Sequence, residues 1–596
     1  MLRAYDDMTA WLRWSATVCA VKERDSMSKI GAFTFVLHSH LPYARQAGMW
    51  PHGEEWVHEA IAETYVPLLN ALYDLQEEGV PFALTIGITP ILAEQLADPL
   101  IVDHFIHYAA ERAAWAAADV KRFEEAGDPV MRDLARFYHH WYARTLTSFR
   151  DRYGSDIIGA LRRLQDAGRI EIATSAATHG YLPLLARDSS VFGQISTGVS
   201  AYRRHFGRDP KAIWLPECAY RPAVLEDEGG RTIRRPGLES FLAEQGLEVF
   251  FSETHTVEGG RPVGKAAGEA IGPYGAVPRR YAMKVMPEAQ DEPGTTYQPY
   301  WVGDSPGQVA VLGRNNQTGQ QVWSGTFGYP GDFQYREFHR KDGVSGLQYW
   351  RIGGAGVDLG DKPPYDPAKA QDQVKGHAGH FTHLVETLLR DYHNETQQFG
   401  VISSAYDTEL FGHWWFEGVD WLKEVLRRLA ASETVELTTA SHIIEEHGPE
   451  RVMVLPESSW GAGGGHFTWL NVDTQWMWPL IHDAERRMEA LVAANPVAEG
   501  ERLELLSQSA RELLLLQSSD WPFLVTTGQA KEYASQRFTD HLERFNQLAA
   551  LAETDSTLDA EGRKFLESLH ERDNAFPGID YRVFAARQGS AALAPA

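Results

Sequence analysis

Cysteine is almost absent from this chain, which has Cys19 and Cys218 and no others in 596 residues. Two thiols cannot build a disulfide framework, and no Cys/His cluster has zinc spacing. The sequence therefore reads as one from a reducing, cytoplasmic compartment, with no cofactor or metal implied. Long hydrophobic runs are missing too: no apolar stretch reaches the ~18 residues that a membrane span requires. The apolar patch from Trp11 to Val21 is interrupted by Arg13 and preceded by Asp6 and Asp7, so it lacks the basic and clean apolar regions of a secretion signal. Positive charge is also in short supply. Against 81 Asp and Glu stand 56 Lys and Arg, a net charge of −25. Such a field repels polyanions, which argues against nucleic acid and in favour of a neutral substrate.

What the chain does have is aromatic side chains: 18 Trp, 23 Tyr and 26 Phe. Many will be core, but tryptophans in loops also suit sugar rings, whose C–H faces lie flat on an indole. The order of elements is that of an α/β protein. A β-favouring run, Gly31 to Leu37, opens onto His38-Ser39-His40-Leu41-Pro42-Tyr43, and a helix from about Glu54 to Gly79 leads to a second strand, Pro81 to Gly87. Strand, helix, strand is a βαβ unit, which implies a parallel sheet with its working residues at strand C-termini.

From Ile91 to Arg152 the sequence is too helical for one crossover and reads as an inserted subdomain. The alternation resumes with a strand at Ile170–Thr174, the loop Thr178-His179-Gly180-Tyr181, a strand ending in Trp214-Leu215-Pro216-Glu217, and a strand at Val249–Phe251. Residues 257–300 and 313–372 are irregular. Helix 374–393 and strand Gly400–Ser404 follow, the latter running into Ala405-Tyr406-Asp407-Thr408-Glu409. Beyond Val419 the pattern is mostly helical. The expected organisation is an extension (1–28), a barrel (29–90 and 153–418), an insert (91–152), a helical domain (419–586) and a disordered tail (587–596).

Four strand exits carry candidate chemistry: His38/His40, His179, Glu217 and Asp407. A barrel brings such exits together. Glu217 and Asp407 form a carboxylate pair that, at about 5 Å, would supply nucleophile and acid/base for retaining glycosyl transfer. Trp214 and Tyr220 flank Glu217 with a wall suited to a sugar ring. Glu457, in an echo of the same motif, and Glu409, two residues past Asp407, compete for these roles. His38 and His40 at i and i+2 point the same way and, with Asp407, could instead hold a metal. His377, His380 and His383 cannot share a helix face, and read as a solvated surface. The run Trp460-Gly461-Ala462-Gly463-Gly464-Gly465-His466-Phe467-Thr468-Trp469 lacks the Lys-Ser/Thr of a phosphate loop and reads as backbone that approaches a ligand closely.

Five segments in order, HSHLPY (38–43), ATHGY (177–181), WLPE (214–217), AYDTELFGHWW (405–415) and SWG (459–461), make the chain resemble glycoside hydrolase family 57, and within it the 1,4-α-glucan branching enzymes, over residues 29–555. The resemblance implies a (β/α)7 barrel with an inserted helical subdomain and a C-terminal helical domain. It implies Glu217 as nucleophile, Asp407 as acid/base, and His38, His40 and His179 at the donor sugar without a metal. It further implies Trp50, Trp323, Trp460 and Trp469 along the glucan groove, with Trp414 beside them and Tyr274, in the 257–300 loop, reaching the site. The implied partner is an α-1,4-glucan (amylose, amylopectin or glycogen) as donor and acceptor. A 4-α-glucanotransferase or amylase of the same family is the alternative, and a non-catalytic glucan-binding protein a further one.

Overall fold

The computed structural model describes residues 29–228, 231–260, 262, 294–303, 307–323, 328–554, 557–587 and 590–591. The N-terminal extension, Tyr274 and most of the 257–300 loop lie outside the described residues.

Seven parallel strands form the centre: β1 (Gly31–Ser39), β2 (Leu84–Ile88), β3 (Ile170–Ser175), β4 (Ala212–Trp214), β5 (Val249–Ser252), β6 (Ala310–Gly313) and β7 (Gly400–Asp407). They pair in the order β7-β1-β2-β3-β4-β5-β6. Beyond the end of β6, Arg314 bridges in parallel to Ser403 of β7, and the Asn315 N–H donates to the Ser403 carbonyl at 2.9 Å. The sheet thus curls until its outer strands meet. Strands covered on both faces read as mainly apolar runs rather than alternating, and β1 (GAFTFVLHS) and β7 (GVISSAYD) are buried at every position. At the base of β1, a Cβ on Gly31 would sit 2.6 Å from the Gly400 carbonyl oxygen, so the close approach of these two strands needs glycine there.

Helices Pro99–Glu125 and Pro129–Thr147 form a long hairpin in the insert. Each begins Asp-Pro: the aspartate accepts from N–H groups of the first turn, while proline occupies a position that has no N–H to satisfy. The helical C-terminal region holds Met477–Ala494, Gly500–Leu516, Asp520–Thr527, Lys531–Ala552 and Ala560–Arg572.

Three local expectations need correction. The irregular stretch 313–372 contains a helix, Asn316–Trp323. An antiparallel hairpin, Val224–Glu228 with Arg231–Arg235, follows the Glu217 turn, and Ser590–Ala591 adds to it as a third strand. The tail is therefore partly placed: Arg587 lies 4.1 Å from the Phe192 ring centroid and pairs with Glu244, contacts that hold the chain where composition suggested disorder.

Candidate active site

The C-terminal ends of the strands converge as barrel geometry requires. In the parallel register of β1 and β7, His38 stands opposite Asp407. Across the curl, the Trp214 ring at the end of β4 stacks on His38 at 4.7 Å and 14°. After β4, Pro216 starts a 3-10 turn in which Glu217 (φ 62°, ψ 24°) and Cys218 (φ 51°) are left-handed, as is His179 (φ 57°). Left-handed backbone costs a non-glycine residue about 1–3 kcal/mol and persists only where surroundings enforce it. Here Tyr220 and Ser458 exchange backbone hydrogen bonds of 2.9 and 3.0 Å, and the Trp460 N–H donates to the Glu217 carbonyl at 3.0 Å. The glycine-rich segment therefore docks on the Glu217 turn and holds it.

Glu217 is 9% exposed, and its two oxygens are held differently. Oε2 accepts from the Trp460 indole N–H at 2.6 Å, and Oε1 accepts from the Ser519 hydroxyl at 3.2 Å. With its proton given to Glu217, the Ser519 oxygen accepts from His179 Nδ1 at 2.8 Å. His179 Nε2 in turn faces His38 Nε2 at 3.1 Å. The three histidines form a stack: the His40 ring lies 3.9 Å from that of His179 and 6.1 Å from that of His38. His40 is fixed by Thr89 at 3.0 Å on Nδ1 and by Asp520 at 3.1 Å on Nε2. Burial works against a charge on His40, but the Asp520 carboxylate, with help from Glu217 and Glu409, prevails and raises its pKa. Both nitrogens of His40 and of His179 are thus committed to protein partners, so a metal held by these histidines would have to break that network.

Of the acidic pair on the β7 exit, Glu409 is the more deeply buried, at 4% exposure. It accepts from the Tyr65 hydroxyl and, at 3.2 Å, from the His40 N–H. Burial, reinforced by the charge of Asp407, pushes its carboxyl up to about 7. Asp407 is buried at 8% exposure and is the last residue of β7. Glu457 is outside this cluster: it pairs with His466 at 2.9 Å, which holds its carboxyl below the usual range.

The tryptophans divide. Trp460 touches Glu217, Trp214 stacks on His38, and Trp469 stacks on Tyr181 at 4.3 Å. Trp323 is buried with its ring 6.4 Å from that of Tyr406, a residue of β7. Trp414 packs on Phe338 at 4.2 Å, and Trp50 is 77% exposed. His377 and His380 are not a bare solvated surface: they bond the Tyr335 and Tyr329 hydroxyls at 2.8 and 2.6 Å. Among the described residues, the metal-like grouping is Glu512, His541 and Asp573 in the helical region, where Arg537 and Arg544 already bind His541 and Asp573 at 2.9 and 3.0 Å.

Sequence reasoning missed Ser519 and Asp520. Their only signal is Ser518-Ser519-Asp520, a polar interruption between the apolar runs Leu513–Leu516 and Trp521–Val525. These residues come from the helical region, and the Ser519 N–H donates to the His179 carbonyl at 3.1 Å. That region is thus part of the site.

A pair of carboxylates at strand exits, histidines stacked beside them and indoles against them is the layout of a carbohydrate-active enzyme. The family model for glycosyl hydrolase family 57 matches residues 34–456, and the chain belongs to that family. A second family model, described as the C-terminal part of 1,4-alpha-glucan branching enzyme, matches residues 480–584. A 1,4-alpha-glucan branching enzyme of Thermococcus kodakarensis is 47% identical over 551 residues, 92% of this chain and 77% of that protein. A family 57 branching enzyme of Pyrococcus horikoshii has a crystal structure that superposes with a TM-score of 0.83 at 40% identity, covering 94% of this chain and 97% of that one. The crystal structure of an alpha-amylase, AmyC from Thermotoga maritima, follows with a TM-score of 0.76 at 30% identity, covering 94% and 99%.

Proposed function

We propose that this chain is a retaining 1,4-α-glucan branching enzyme. One observation carries the reading: Ser519 and Asp520, from the segment matched as a branching-enzyme C-terminal part, reach Glu217 and His40 in the barrel. Fold, site and helical region thus describe one catalytic unit.

In this reading an α-1,4 glucan lies along the tryptophans. Asp407 protonates the glycosidic oxygen as Glu217 attacks the anomeric carbon, which gives a β-linked glycosyl-enzyme and frees one chain end. Asp407, now a base, removes the proton from the 6-hydroxyl of a second glucan. That oxygen displaces Glu217, forming an α-1,6 bond with net retention. The assignment of Glu217 is supported by its strained, doubly anchored carboxylate, and that of Asp407 by its register beside His38. Amylose, amylopectin or glycogen would serve as donor and acceptor, and a role in cytoplasmic glycogen synthesis is part of the same proposal.

The resemblance to an alpha-amylase keeps hydrolysis as the second reading. Proton NMR of amylose after incubation separates the outcomes. A new α-1,6 anomeric signal is expected. Shorter linear chains alone would establish an amylase, and redistributed linear chains a glucanotransferase.

A further inference from the structure

A cavity of about 470 Å³ opens between helices Val66–Glu77, Pro129–Thr147, Pro367–Thr396 and Gly418–Ala430, and is lined by none of the residues assigned to the active site above. Its size falls within the range of about 300–1,000 Å³ typical of small-molecule sites. At its floor lies Glu417, 1% exposed. Glu417 Oε1 accepts from the Tyr365 hydroxyl at 2.6 Å and from the Arg336 N–H at 3.1 Å, while Oε2 has no hydrogen-bond partner among the described residues. Burying a polar atom without a partner costs about 1–3 kcal/mol. Burial also pushes the Glu417 carboxyl up to about 7, so near neutrality it can donate as well as accept.

The wall above is aromatic. Trp141, Phe137 and Phe416 cluster there, with ring centroids of Trp141 and Phe416 5.4 Å apart. The rim is polar and outward-facing: Arg144 and Asp420 are exposed, and Gln371 bonds Asp420. The other charges are internally balanced, since Asp74 is held by Lys423 at 2.8 Å and by Arg152 at 2.9 Å. A strongly charged ligand has little to pair with. A polyhydroxylated neutral ring fits, with its C–H face on the aromatic wall and its hydroxyls toward planar amide, guanidinium and carboxyl groups. Resting on the branching reading above, we infer that this cavity is a second glucan site, which holds a segment of an α-glucan chain apart from the reacting residues. Two sites on one polymer make the second contact intramolecular, so long chains gain apparent affinity that short chains do not.

The test uses the full-length enzyme with Arg144→Ala, at the exposed rim, and Gln371→Trp, which fills the mouth. Migration in gels containing amylopectin reads binding without turnover, and KM is measured on long and on short amylose. With unfolding midpoints unchanged, both variants should lose amylopectin retardation and show KM for long amylose raised about three- to tenfold, with kcat and the short-chain KM kept. Retardation and long-chain KM equal to wild type would overturn the inference. Should Gln371→Trp fail to fold, Arg144→Ala decides alone. If the unaltered enzyme does not turn over amylose, it is the branching reading that fails, and the gel comparison still decides the cavity.

Discussion

Ser519→Ala is the most diagnostic single change at the site, because the hydroxyl lies between His179 and Glu217 at 2.8 and 3.2 Å. A hydrogen bond to a charged group contributes about 1.5–3 kcal/mol, and at 3.2 Å the lower end applies. The bond favours the ionised form of Glu217, so its loss disfavours that form. The acid limb of kcat/KM should therefore move to higher pH. The charge on Glu217 is consumed as the glycosyl bond forms, so the bond itself does not assist the transition state. The plateau rate should fall only about tenfold, from lost orientation of the carboxylate and of the His179 ring. Branching is followed by the loss of the amylose–iodine complex between pH 4 and 8, with Ser519→Thr expected to restore both features. An acid limb that stays in place in a folded Ser519→Ala enzyme would refute the link between Ser519 and the nucleophile, whatever happened to the rate.

Four further outcomes follow from the same geometry. Glu217→Gln should abolish branching while leaving the unfolding midpoint near wild type; a near-normal rate would remove Glu217 from the mechanism. Trp460→Phe keeps an aromatic ring against Trp214, 5.1 Å away, but loses the 2.6 Å bond to Glu217 Oε2, so kcat/KM should drop about 10- to 150-fold for 1.5–3 kcal/mol, measured at the pH optimum. Asp520→Asn withdraws the carboxylate that raises His40, so the His40 imidazole should titrate at lower pH by NMR; an unchanged titration would show that Asp520 does not hold its charge. Glu485, 1% exposed, is pushed up to about 8 by burial, against about 4.3 in the unfolded chain. The folded state therefore retains a proton that the unfolded state releases. The associated stability is full below about pH 4.3 and is lost as pH rises to about 8, at about 1.4 kcal/mol per unit. Glu485→Gln should not share that loss, so urea unfolding of the two proteins should diverge in favour of the variant across this window; a constant gap would mean that Glu485 is ionised when folded.

The barrel was legible because its physics is local. A strand buried on both faces reads as a mainly apolar run, and Gly31–Leu37 of β1 announces itself that way, while β7 opens with Val401 and Ile402 before its two serines. Asp-Pro before a helix is equally plain in the insert. The hairpin at Val224–Arg235 was not, because its residues (VLEDE and RTIRR) are too charged to read as strands by hydrophobicity. The helix Asn316–Trp323 (NQTGQQVW) carries Gly319 and few strong helix formers. It is held by tertiary contacts: the Thr318 hydroxyl accepts from that of Ser404, and the Thr318 carbonyl accepts from the Tyr406 hydroxyl, both groups of β7.

The site divides along a similar line. Glu217, His179, His38 and Asp407 stand out in the sequence because each follows an apolar run, and barrel topology predicts where such ends meet. Ser519 and Asp520 end no strand. Their partners lie 302 and 340 residues away for Ser519 and 480 for Asp520, and a serine or aspartate at a helix start reads as a cap before it reads as anything else. Yet these are the residues through which a helical region acts on the barrel's chemistry. The bond from Ser519 orients Glu217, and the charge of Asp520 sustains His40. A barrel cut free of residues 500–527 would keep every motif that the sequence displays and lose the Ser519 bond to Glu217 and the Asp520 bond to His40. On the proposed mechanism the helical region belongs to the catalytic unit, and its two contributions separate by assay: Ser519 through the acid limb of the rate profile, Asp520 through the titration of His40.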